Sequence, residues 1–268
     1  MEFRPCIDIH DGKVKQIVGG SINESASGGP KENFVSECDA AFYAGLYRNM
    51  NIKGGHVILL NKPGTEEYEL TRAEALSALK EYPGGLQVGG GINEENASEF
   101  IEAGASHVIV TSYVFRDGII DMPRLERLRD TVGRNHLVLD LSCRKRDDRY
   151  YIVTDRWQNF TEHQLNPAFL QSLENYCDEF LIHAVDVEGK QSGVDIDIIR
   201  LLAIYKGAAL GCGPKRGNEI TYAGGIHTYE DLNLIAETTD RRVNVTIGSA
   251  LSLFGGEMDI NKVMEYIG

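Results

Sequence analysis

Short runs of β-branched and other apolar residues alternate along the chain with longer segments in which apolar residues recur every three to four positions. The short runs predict strands, and the longer segments predict amphipathic helices. Eight such strand–helix units in about 250 residues are typical of an α/β protein of the (β/α)8 (TIM) barrel class, in which functional residues lie at the carboxyl ends of the strands. The predicted strands are 3–9, 55–60, 86–89, 107–111, 136–142, 179–186, 219–223 and 243–247. The predicted helices are 38–49, 70–81, 94–103, 121–132, 166–176, 194–205, 228–237 and 258–267.

Two segments that lie half the chain apart repeat one pattern: a strand, a Gly-Gly turn, a helix, a second strand and a small polar turn. The first contains Q-V-G-G-G-I-N and V-I-V-T-S, and the second contains T-Y-A-G-G-I-H and V-T-I-G-S. Ile92 and Ile226 are equivalent and lie 134 residues apart, half of the 268-residue length. The repeat favours a closed barrel over a doubly wound open sheet, because strands three and four then lie opposite strands seven and eight. We expect one barrel domain over residues 1–268 with a two-fold half-barrel repeat.

Each Gly-Gly turn predicts a phosphate site. Glycine lets the backbone turn its N–H groups toward a ligand, and N–H groups at the start of a helix attract phosphate. The small polar turn after the following strand adds donors at the same end of the barrel. Because the pattern occurs twice, we predict a ligand with two phosphates. The first predicted site is Gly90, Gly91, Thr111 and Ser112, and the second is Gly224, Gly225, Gly248 and Ser249.

Two carboxylates are placed for acid–base chemistry. Asp8 lies at the end of the first predicted strand and Asp140 near the end of the fifth, so the two would flank one ligand from opposite sides of the barrel mouth. Such a pair suits one general base and one general acid. The alternative for each is a structural aspartate, and it is stronger for Asp140 because the predicted strand continues past it. The two-residue period of a strand puts Ser142 on the same face as Asp140.

The sixth predicted strand ends in L-I-H-A-V-D-V-E-G and offers His183, Asp186 and Glu188. We predict that His183 orients an acid or bonds the substrate; the alternative is a core histidine with satisfied hydrogen bonds. Trp157, the only tryptophan, ends a predicted hairpin after strand five. It is predicted to stack on a flat heterocycle, or else to anchor the hairpin in a small core.

Three stretches of the chain are additional to the eight strand–helix units of a simple barrel. Residues 19–33 are rich in Gly and Ser and follow strand one, and residues 143–157 predict a charged turn and a short hairpin after strand five. Both leave the catalytic face, so both are predicted lids. Residues 206–218 precede strand seven and are predicted to be a surface insertion at the opposite face.

Net charge and composition limit which binding partners and which cellular compartment the sequence predicts. A net charge of −13 argues against nucleic acid and against anionic membrane surfaces. The five cysteines lack the close spacing of a metal site and predict reduced thiols. No apolar run approaches the ~20 residues of a membrane span, and no signal or transit segment precedes the first predicted strand. We expect a cytoplasmic protein, or a plastid protein from which a transit peptide has been removed.

The motifs resemble those of the histidine-biosynthesis barrels. Matching segments are P-C-I-D-I-H-D-G-K-V, L-Q-V-G-G-G-I-N, L-D-L-S-C-R-K, E-F-L-I-H-A-V-D-V-E-G, Y-A-G-G-I and V-T-I-G-S-A-L-S-L-F-G-G, and they span essentially the whole chain. Among these barrels the chain resembles the eukaryotic-type phosphoribosylformimino-aminoimidazole-carboxamide-ribotide isomerases. The resemblance implies an Amadori rearrangement of an aminoaldose to an aminoketose, without cofactor or metal, on a small-molecule substrate with a phosphate at each end.

The resemblance also implies roles for particular residues. The base of the family falls on Asp8. Alignment on the family's Leu-Asp makes Asp140 the acid, whereas alignment on its arginine, here Arg144, puts Ser142 in that place. A serine is a poor acid, so we choose Asp140. We also assign His183 to the catalytic group and Arg144 to substrate binding.

Two other functions are open from the sequence. The sister cyclase barrel shares the strand-one motif and the doubled phosphate sites, but it carries a Lys eight residues after its aspartate, where this chain has Gln16. The cyclase also needs a glutaminase that supplies ammonia, and this sequence contains none. A phosphoribosyl-binding barrel without catalysis is the second alternative, and the intact Asp8 and Asp140 argue against it. We expect a monomer.

Overall fold

The computed structural model describes residues 1–17, 32–155, 157–188, 193–208 and 216–268. Within these ranges, eight parallel strands lie side by side in a sheet in the order in which they occur in the chain. We call them barrel strands one to eight. Their bounds are Cys6–His10, Gly55–Leu59, Leu86–Gly89, His107–Val110, Leu137–Asp140, Glu179–His183, Glu219–Ala223 and Asn244–Val245.

The sheet closes on itself at the start of the chain. Phe3 forms a parallel bridge with Val245 of strand eight. The N–H of Arg4 donates to the carbonyl of Val245 at 2.8 Å, and the N–H of Val245 donates to the carbonyl of Glu2 at 2.9 Å. Because strand eight pairs with the segment that leads into strand one, the sheet is a barrel and not an open doubly wound sheet. The predicted fold class is therefore confirmed.

One helix follows each barrel strand in the described residues, and capping side chains set where most of them begin. Thr65 accepts a hydrogen bond from the N–H of Tyr68, so the second helix begins four residues before the predicted position 70. Thr228 and Asp231 form a capping box at the start of the seventh helix. The helices α1 to α8 are Ala40–Asn49, Glu66–Glu81, Ala97–Glu102, Met122–Val132, Pro167–Leu173, Ile196–Tyr205, Tyr229–Thr239 and Ile260–Ile267.

Further strands decorate the carboxyl end of the barrel, and the sequence patterns missed several of them. After strand one, an antiparallel strand Lys13–Ile17 returns beside it and pairs with Glu32–Val35. The predicted hairpin after strand five is a three-stranded antiparallel sheet, because 159–164 adds a strand beyond it. Most of the predicted lid 19–33 and the centre of the 206–218 insertion lie outside the described residues. The decorating strands are Lys13–Ile17, Glu32–Val35, Phe115–Arg116, Ile119–Ile120, Cys143–Arg146, Arg149–Thr154 and Asn159–Gln164.

The barrel interior has three layers along the strands. Side chains of a strand alternate between its two faces, so strand six points Glu179, Leu181 and His183 inward, one to each layer. Its other residues face the surrounding helices and are fully buried in the main core. The layer at the carboxyl ends is polar and is described below. The middle layer is a small apolar cluster that contains Ile109, Val138, Leu181 and Ala223.

The layer at the amino ends of the strands is a buried polar plug. Glu179, only 2% exposed, accepts hydrogen bonds from the guanidinium of Arg4, from Nε2 of Gln87 at 2.7 Å and from the hydroxyl of Thr221. His56 lies beside them, and burial lowers its pKa to about 4. These side chains close the barrel at the end away from the candidate functional residues.

Replacing Glu179 by Gln is expected to destabilise the barrel. The change leaves the Arg4 guanidinium without its carboxylate inside the barrel, and removing one partner of a buried ion pair costs about 3–5 kcal/mol. Urea unfolding followed by circular dichroism measures the loss as a lower midpoint. Glu237→Gln on the exposed face of α7 is the control, expected to change the free energy of unfolding by less than ~0.5 kcal/mol. Equal midpoints for the two variants would show that the plug contributes little.

No helix among the described residues is both long and apolar enough to cross a membrane.

Candidate active site

Three polar side chains from different barrel strands meet at the carboxyl end of the barrel. Asp8 lies in strand one beside Ile58 of strand two, Asp140 is the last residue of strand five, and His183 is the last residue of strand six. All three therefore lie at the same end of the barrel, and the charge of His183 lowers the pKa of both carboxyl groups, against the effect of burial. Strands five and six end at these residues and not at 142 and 186 as predicted, because the chain turns there into the decorating sheet and into a 3₁₀ turn, Val185–Val187.

Asp8 has a raised pKa. Burial in the mouth raises the pKa of Asp8, and the charge of Glu188 raises it further, to about 7, although the charge of His183 and a hydrogen bond from Gln16 act in the opposite direction. Gln16 is itself buried, and its Nε2 donates to Oδ2 of Asp8 at 3.3 Å. A carboxyl group with a pKa near 7 exchanges its proton readily at neutral pH, which suits a general base.

Asp140 accepts a hydrogen bond from Ser142, the residue that takes the acid position in the alternative alignment. Burial raises the pKa of Asp140 to about 6, against the charge of His183 and the hydrogen bonds of Ser142. Ser142 Oγ donates to Oδ1 of Asp140 at 3.0 Å, so the two share a face as predicted. Ser142 is only 1% exposed, and its carbonyl accepts the N–H of Val153 in the three-stranded sheet. Ser142 therefore holds the Asp140 carboxylate by a hydrogen bond, and Asp140 is the more exposed of the two.

His183 is held from two sides. Its Nε2 lies 3.1 Å from Oε2 of Glu188, and the ring of Trp157 stands at 80° to the imidazole with 5.0 Å between the ring centroids. Burial lowers the pKa of His183, but the hydrogen bond and charge of Glu188, with the charges of Asp140 and Asp8, outweigh it and raise the pKa overall. Burial likewise raises the pKa of Glu188, but His183 outweighs it and lowers the pKa overall. The distance and the two shifts agree with an ion pair between protonated His183 and Glu188.

Trp157 lies at the mouth and not in a separate hairpin core. Its backbone has a φ of 68°, in the left-handed region, and its side chain is half-buried. The contact with the His183 ring brings the indole to the same space as the two carboxylates. This contact favours a role at the mouth, and stacking on a substrate stays a prediction.

Arg144 is paired with a carboxylate from the loop after strand six. Its Nε donates to Oδ1 of Asp186 at 3.0 Å, and the N–H of Lys145 donates to Oδ2 at 2.7 Å. Asp186, a catalytic candidate from the sequence, therefore fastens the three-stranded sheet to the barrel. The Arg144 side chain remains 41% exposed, so it is accessible to a ligand.

The two Gly-Gly turns have the same backbone shape. The φ angles of the two glycines are 101° and 72° in the first turn and 113° and 76° in the second. A Cβ on Gly90 would lie 2.0 Å from the carbonyl oxygen of Leu59, and a Cβ on Gly224 would lie 2.7 Å from that of Ala184. These carbonyls lie at the ends of strands two and six, which are equivalent in the half-barrel repeat. Glycine is therefore required by the fold itself, so a glycine variant would test folding before it tested ligand binding.

Backbone N–H groups in both halves of the barrel are open to a ligand. Within the described residues, the N–H groups of Gly91 and Ser112 in one half, and of Gly225 and Ser249 in the other, make no hydrogen bond to the protein. Ser112 Oγ accepts the N–H of Asp155 at 3.4 Å, and both residues line a cleft of about 470 Å³ beside the three-stranded sheet. The eight predicted residues thus lie in two equivalent pairs of turns, after strands three and four and after strands seven and eight: Gly90 and Gly91 with Thr111 and Ser112, and Gly224 and Gly225 with Gly248 and Ser249.

The profile of the family described as "Histidine biosynthesis protein" matches residues 2–259. The chain belongs to this family. It is 48% identical to the chloroplastic 1-(5-phosphoribosyl)-5-((5-phosphoribosylamino)methylideneamino)imidazole-4-carboxamide isomerase of Medicago truncatula, over 99% of this chain and 81% of the relative. It is 43% identical to the isomerase of that name from Neurospora crassa, over 95% of this chain and 93% of the relative. For the Saccharomyces cerevisiae isomerase the identity is 40%, over 96% of this chain and 94% of the relative.

Two side chains of this histidine biosynthesis protein contact the candidate catalytic groups in ways that the sequence did not indicate. Gln16 stands out in the sequence only as the residue that differs from the cyclase, whereas in the fold it holds Asp8. The signal that could have found it is the turn at Asp11 and Gly12, which folds the strand Lys13–Ile17 back along strand one. Glu188 is one of three acid–base candidates after strand six, and only the fold selects it as the partner of His183.

Proposed function

We infer that this chain isomerises the N′-phosphoribosylformimino aminoaldose of aminoimidazole carboxamide ribotide to its aminoketose form, the activity that the names of its relatives state. The observation that carries the inference is the meeting of Asp8 and Asp140, both with raised pKa, in a barrel mouth flanked by two matched Gly-Gly turns. A bis-phosphorylated small molecule suits this mouth because each turn offers free N–H groups to one end of it.

The mechanism needs one acid and one base. Protonated Asp140 donates its proton to the ring oxygen of the aminoaldose ribose, and the bond between that oxygen and C1′ breaks to leave an imine protonated on nitrogen. The positive charge acidifies the hydrogen on C2′, and ionised Asp8 removes it as a proton to give an enolamine. A proton then returns to C1′ while the C2′ hydroxyl loses its own, which yields the aminoketose. Proton exchange with solvent restores both carboxyl groups, so no atom or electron is gained or lost.

His183 contributes positive charge to this sequence of steps. Its imidazolium acts on both carboxylates, and it stabilises the Asp140 carboxylate that remains after the proton has been donated. Arg144, whose side chain is 41% exposed, is assigned to substrate binding.

The remaining features of the proposal follow the same argument. The phosphate sites are Gly90, Gly91, Thr111 and Ser112 in one half of the barrel and Gly224, Gly225, Gly248 and Ser249 in the other, supported by the matched Gly-Gly turns and the free N–H groups. The chain acts as a single domain and as a monomer, without cofactor or metal. Neither nucleic acid nor a membrane is a partner, in keeping with the net charge of −13. It acts in the cytoplasm, or in a plastid as the Medicago relative does by its name.

Incubating the purified protein with the aminoaldose substrate tests the inference. Chromatography should show loss of the aldose and equal formation of the ketose, with no added metal or cofactor. Product formation from the ketose and ammonia instead would support the cyclase. Tight substrate binding without any product would support the non-catalytic barrel.

Replacing Trp157 by Ala is expected to weaken substrate binding and slow turnover together, with little loss of stability. We assign the indole to stacking on the imidazole carboxamide, a contact that contributes ~0.5–1.5 kcal/mol beyond burial. Titrating a substrate analogue while following tryptophan fluorescence is a direct measurement, because the chain has one tryptophan. Unchanged emission at saturation, with normal kinetics in Trp157→Ala, would contradict the assignment. Val153→Ala, a change at a buried residue of the same three-stranded sheet, is a control for general damage to that sheet.

A further inference from the structure

Tyr68 carries a buried hydroxyl group to which the proposed function gives no role. The residue lies in the first turn of α2, where its N–H donates to Oγ1 of Thr65 at 3.2 Å, and it is only 5% exposed. Within the described residues its hydroxyl oxygen is buried and makes no hydrogen bond. Because an unpaired buried hydroxyl destabilises a folded protein, a partner from outside the chain is expected.

The hydroxyl end of the Tyr68 ring lies beside the first Gly-Gly turn. Cε2, the ring carbon next to the one that bears the hydroxyl, lies 3.7 Å from the position that a Cβ on Gly91 would take. The N–H of Gly91 is free in the described part of the chain, and its carbonyl oxygen already accepts Nδ2 of Asn96 at 3.1 Å. The turn therefore presents unpaired donors, and a ligand that completes it must supply acceptor oxygens.

The hydroxyl of Tyr68 stays in its donor form. Burial raises the pKa of Tyr68 above its usual value of 10, and the charge of Glu69 raises it further, against the charge of Arg72. The group therefore keeps its proton at neutral pH. A protonated hydroxyl donates a strong hydrogen bond to an anionic oxygen.

We propose that Tyr68 binds the substrate at the first phosphate site, where its hydroxyl donates a hydrogen bond to a phosphate oxygen. The proposal rests on the proposed function and deepens it, because it adds a side chain from α2 to a site that the sequence assigned to the turns after strands three and four. Phosphate fits because it brings several anionic acceptor oxygens to donors from three elements. These donors are the Tyr68 hydroxyl and the free N–H groups of Gly91 and Ser112.

The half-barrel repeat shows that this hydroxyl belongs to one half only. Tyr68 is the third residue after Thr65, the cap of α2, and Ile198 is the third residue after Asp195, the cap of α6. Ile198 is 1% exposed, and its side chain has no group that can form a hydrogen bond. The second Gly-Gly turn therefore lacks a hydroxyl from the equivalent helix position. Removing the Tyr68 hydroxyl should weaken the first phosphate site and spare the second.

Titration with inorganic phosphate, followed by the NMR signals of the Gly91 and Gly225 amides, tests the proposal at each site separately. Tyr68→Phe removes only the hydroxyl group. The Kd measured at Gly91 should rise about tenfold or more, as loss of a hydrogen bond to a charged group predicts. The Kd measured at Gly225 should not change. With the aminoaldose as substrate, KM should rise about tenfold while kcat stays within about twofold.

The stability of the free protein separates phosphate binding from a structural role. Tyr68→Phe removes a buried hydroxyl that has no partner in the described residues, so the Tm without phosphate should stay the same or rise. The increase in Tm on adding phosphate should be smaller in the variant, because weaker binding stabilises the folded state less. Tyr82→Phe, a change at a buried tyrosine at the other end of α2, is the matched control and should alter none of these measurements.

Three results would overturn the proposal: no phosphate-dependent change at Gly91 in the wild type, a Kd at Gly91 that Tyr68→Phe leaves unchanged or raises no more than that at Gly225, or a lower Tm of the free variant. Failure of the proposed function is a separate result, because the phosphate titration needs no turnover. A protein that makes no ketose but loses phosphate affinity only at Gly91 would lose the assigned reaction and keep the Tyr68 site. Normal turnover with unchanged affinity at Gly91 would keep the reaction and end the role of Tyr68.

Discussion

Replacing Asp8 by Asn is expected to lower kcat by about 10²–10⁴ and to leave KM nearly unchanged, as removal of a general base does. The amide of Asn has almost the same size as the carboxyl group, and its oxygen can still accept the hydrogen bond from Gln16. It cannot take the proton from C2′ of the substrate. Steady-state kinetics with the aminoaldose measures the change, and turnover near that of the wild type would end the assignment of Asp8 as the base.

The same variant carries an internal control for folding, because it should be more stable than the wild type above pH 7. The pKa of Asp8 is raised from 3.8 to about 7 in the folded protein, so its ionisation is penalised there. The contribution of the protonated Asp8 to stability is fully present below pH 3.8, the unfolded value, and is lost as the pH rises through about 7. The difference in Tm between Asp8→Asn and the wild type should therefore grow between pH 5 and pH 8. A Tm of the variant below that of the wild type at pH 8 would show that Asp8 also has a structural role.

Replacing Asp140 by Asn is the second large effect that we expect, again about 10²–10⁴ in kcat because the ring-opening step loses its acid. The matched control is Ser142→Ala, which removes the hydrogen bond to Oδ1 of Asp140 and leaves the carboxyl group in place. Losing a hydrogen bond that favours the ionised form raises the pKa of Asp140, so Ser142→Ala should alter the pH profile more than the maximal rate.

The pH profile links the two aspartates. Asp8 acts ionised and Asp140 acts protonated, so kcat/KM should rise with the ionisation of Asp8 and fall with that of Asp140. With pKa values of about 7 and about 6, the profile should be bell-shaped with its maximum between these values. Near-wild-type turnover of Asp140→Asn together with a dead Ser142→Ala would instead support the alignment that places Ser142 at the acid position.

Much of the fold could be predicted because local sequence patterns set local structure. Each of the eight predicted strands and helices is present in the described residues, since a two-residue or 3.6-residue apolar period is a property of a short segment. The predicted bounds differ where a side chain of the tertiary structure intervenes. Thr65 caps the second helix early, and the turn into the decorating sheet ends strand five at Asp140. The strand Lys13–Ile17 was missed because its mixed polar pattern pairs only once strand one is beside it.

The candidate site could be predicted in part for a similar reason. Some signals of the site are local: a strand that ends in a carboxylate, or a Gly-Gly turn before a helix. Asp8, Asp140 and the two Gly-Gly turns could therefore be predicted from the sequence. The two-fold repeat strengthened them, and the shared φ angles of the glycines agree with it. The roles assigned to these residues stay predictions until turnover is measured.

The sequence by itself determined the barrel, its half-length repeat, the family to which the chain belongs and the residue types at the strand ends. Only the tertiary structure decided which of those residues act on one another. Gln16 reaches Asp8, Glu188 pairs with His183, Trp157 faces the mouth, and Arg4 meets Glu179 across 175 residues of chain. A pKa depends on burial and on the charges nearby, and both come from strands that are distant in sequence and adjacent only in the closed barrel.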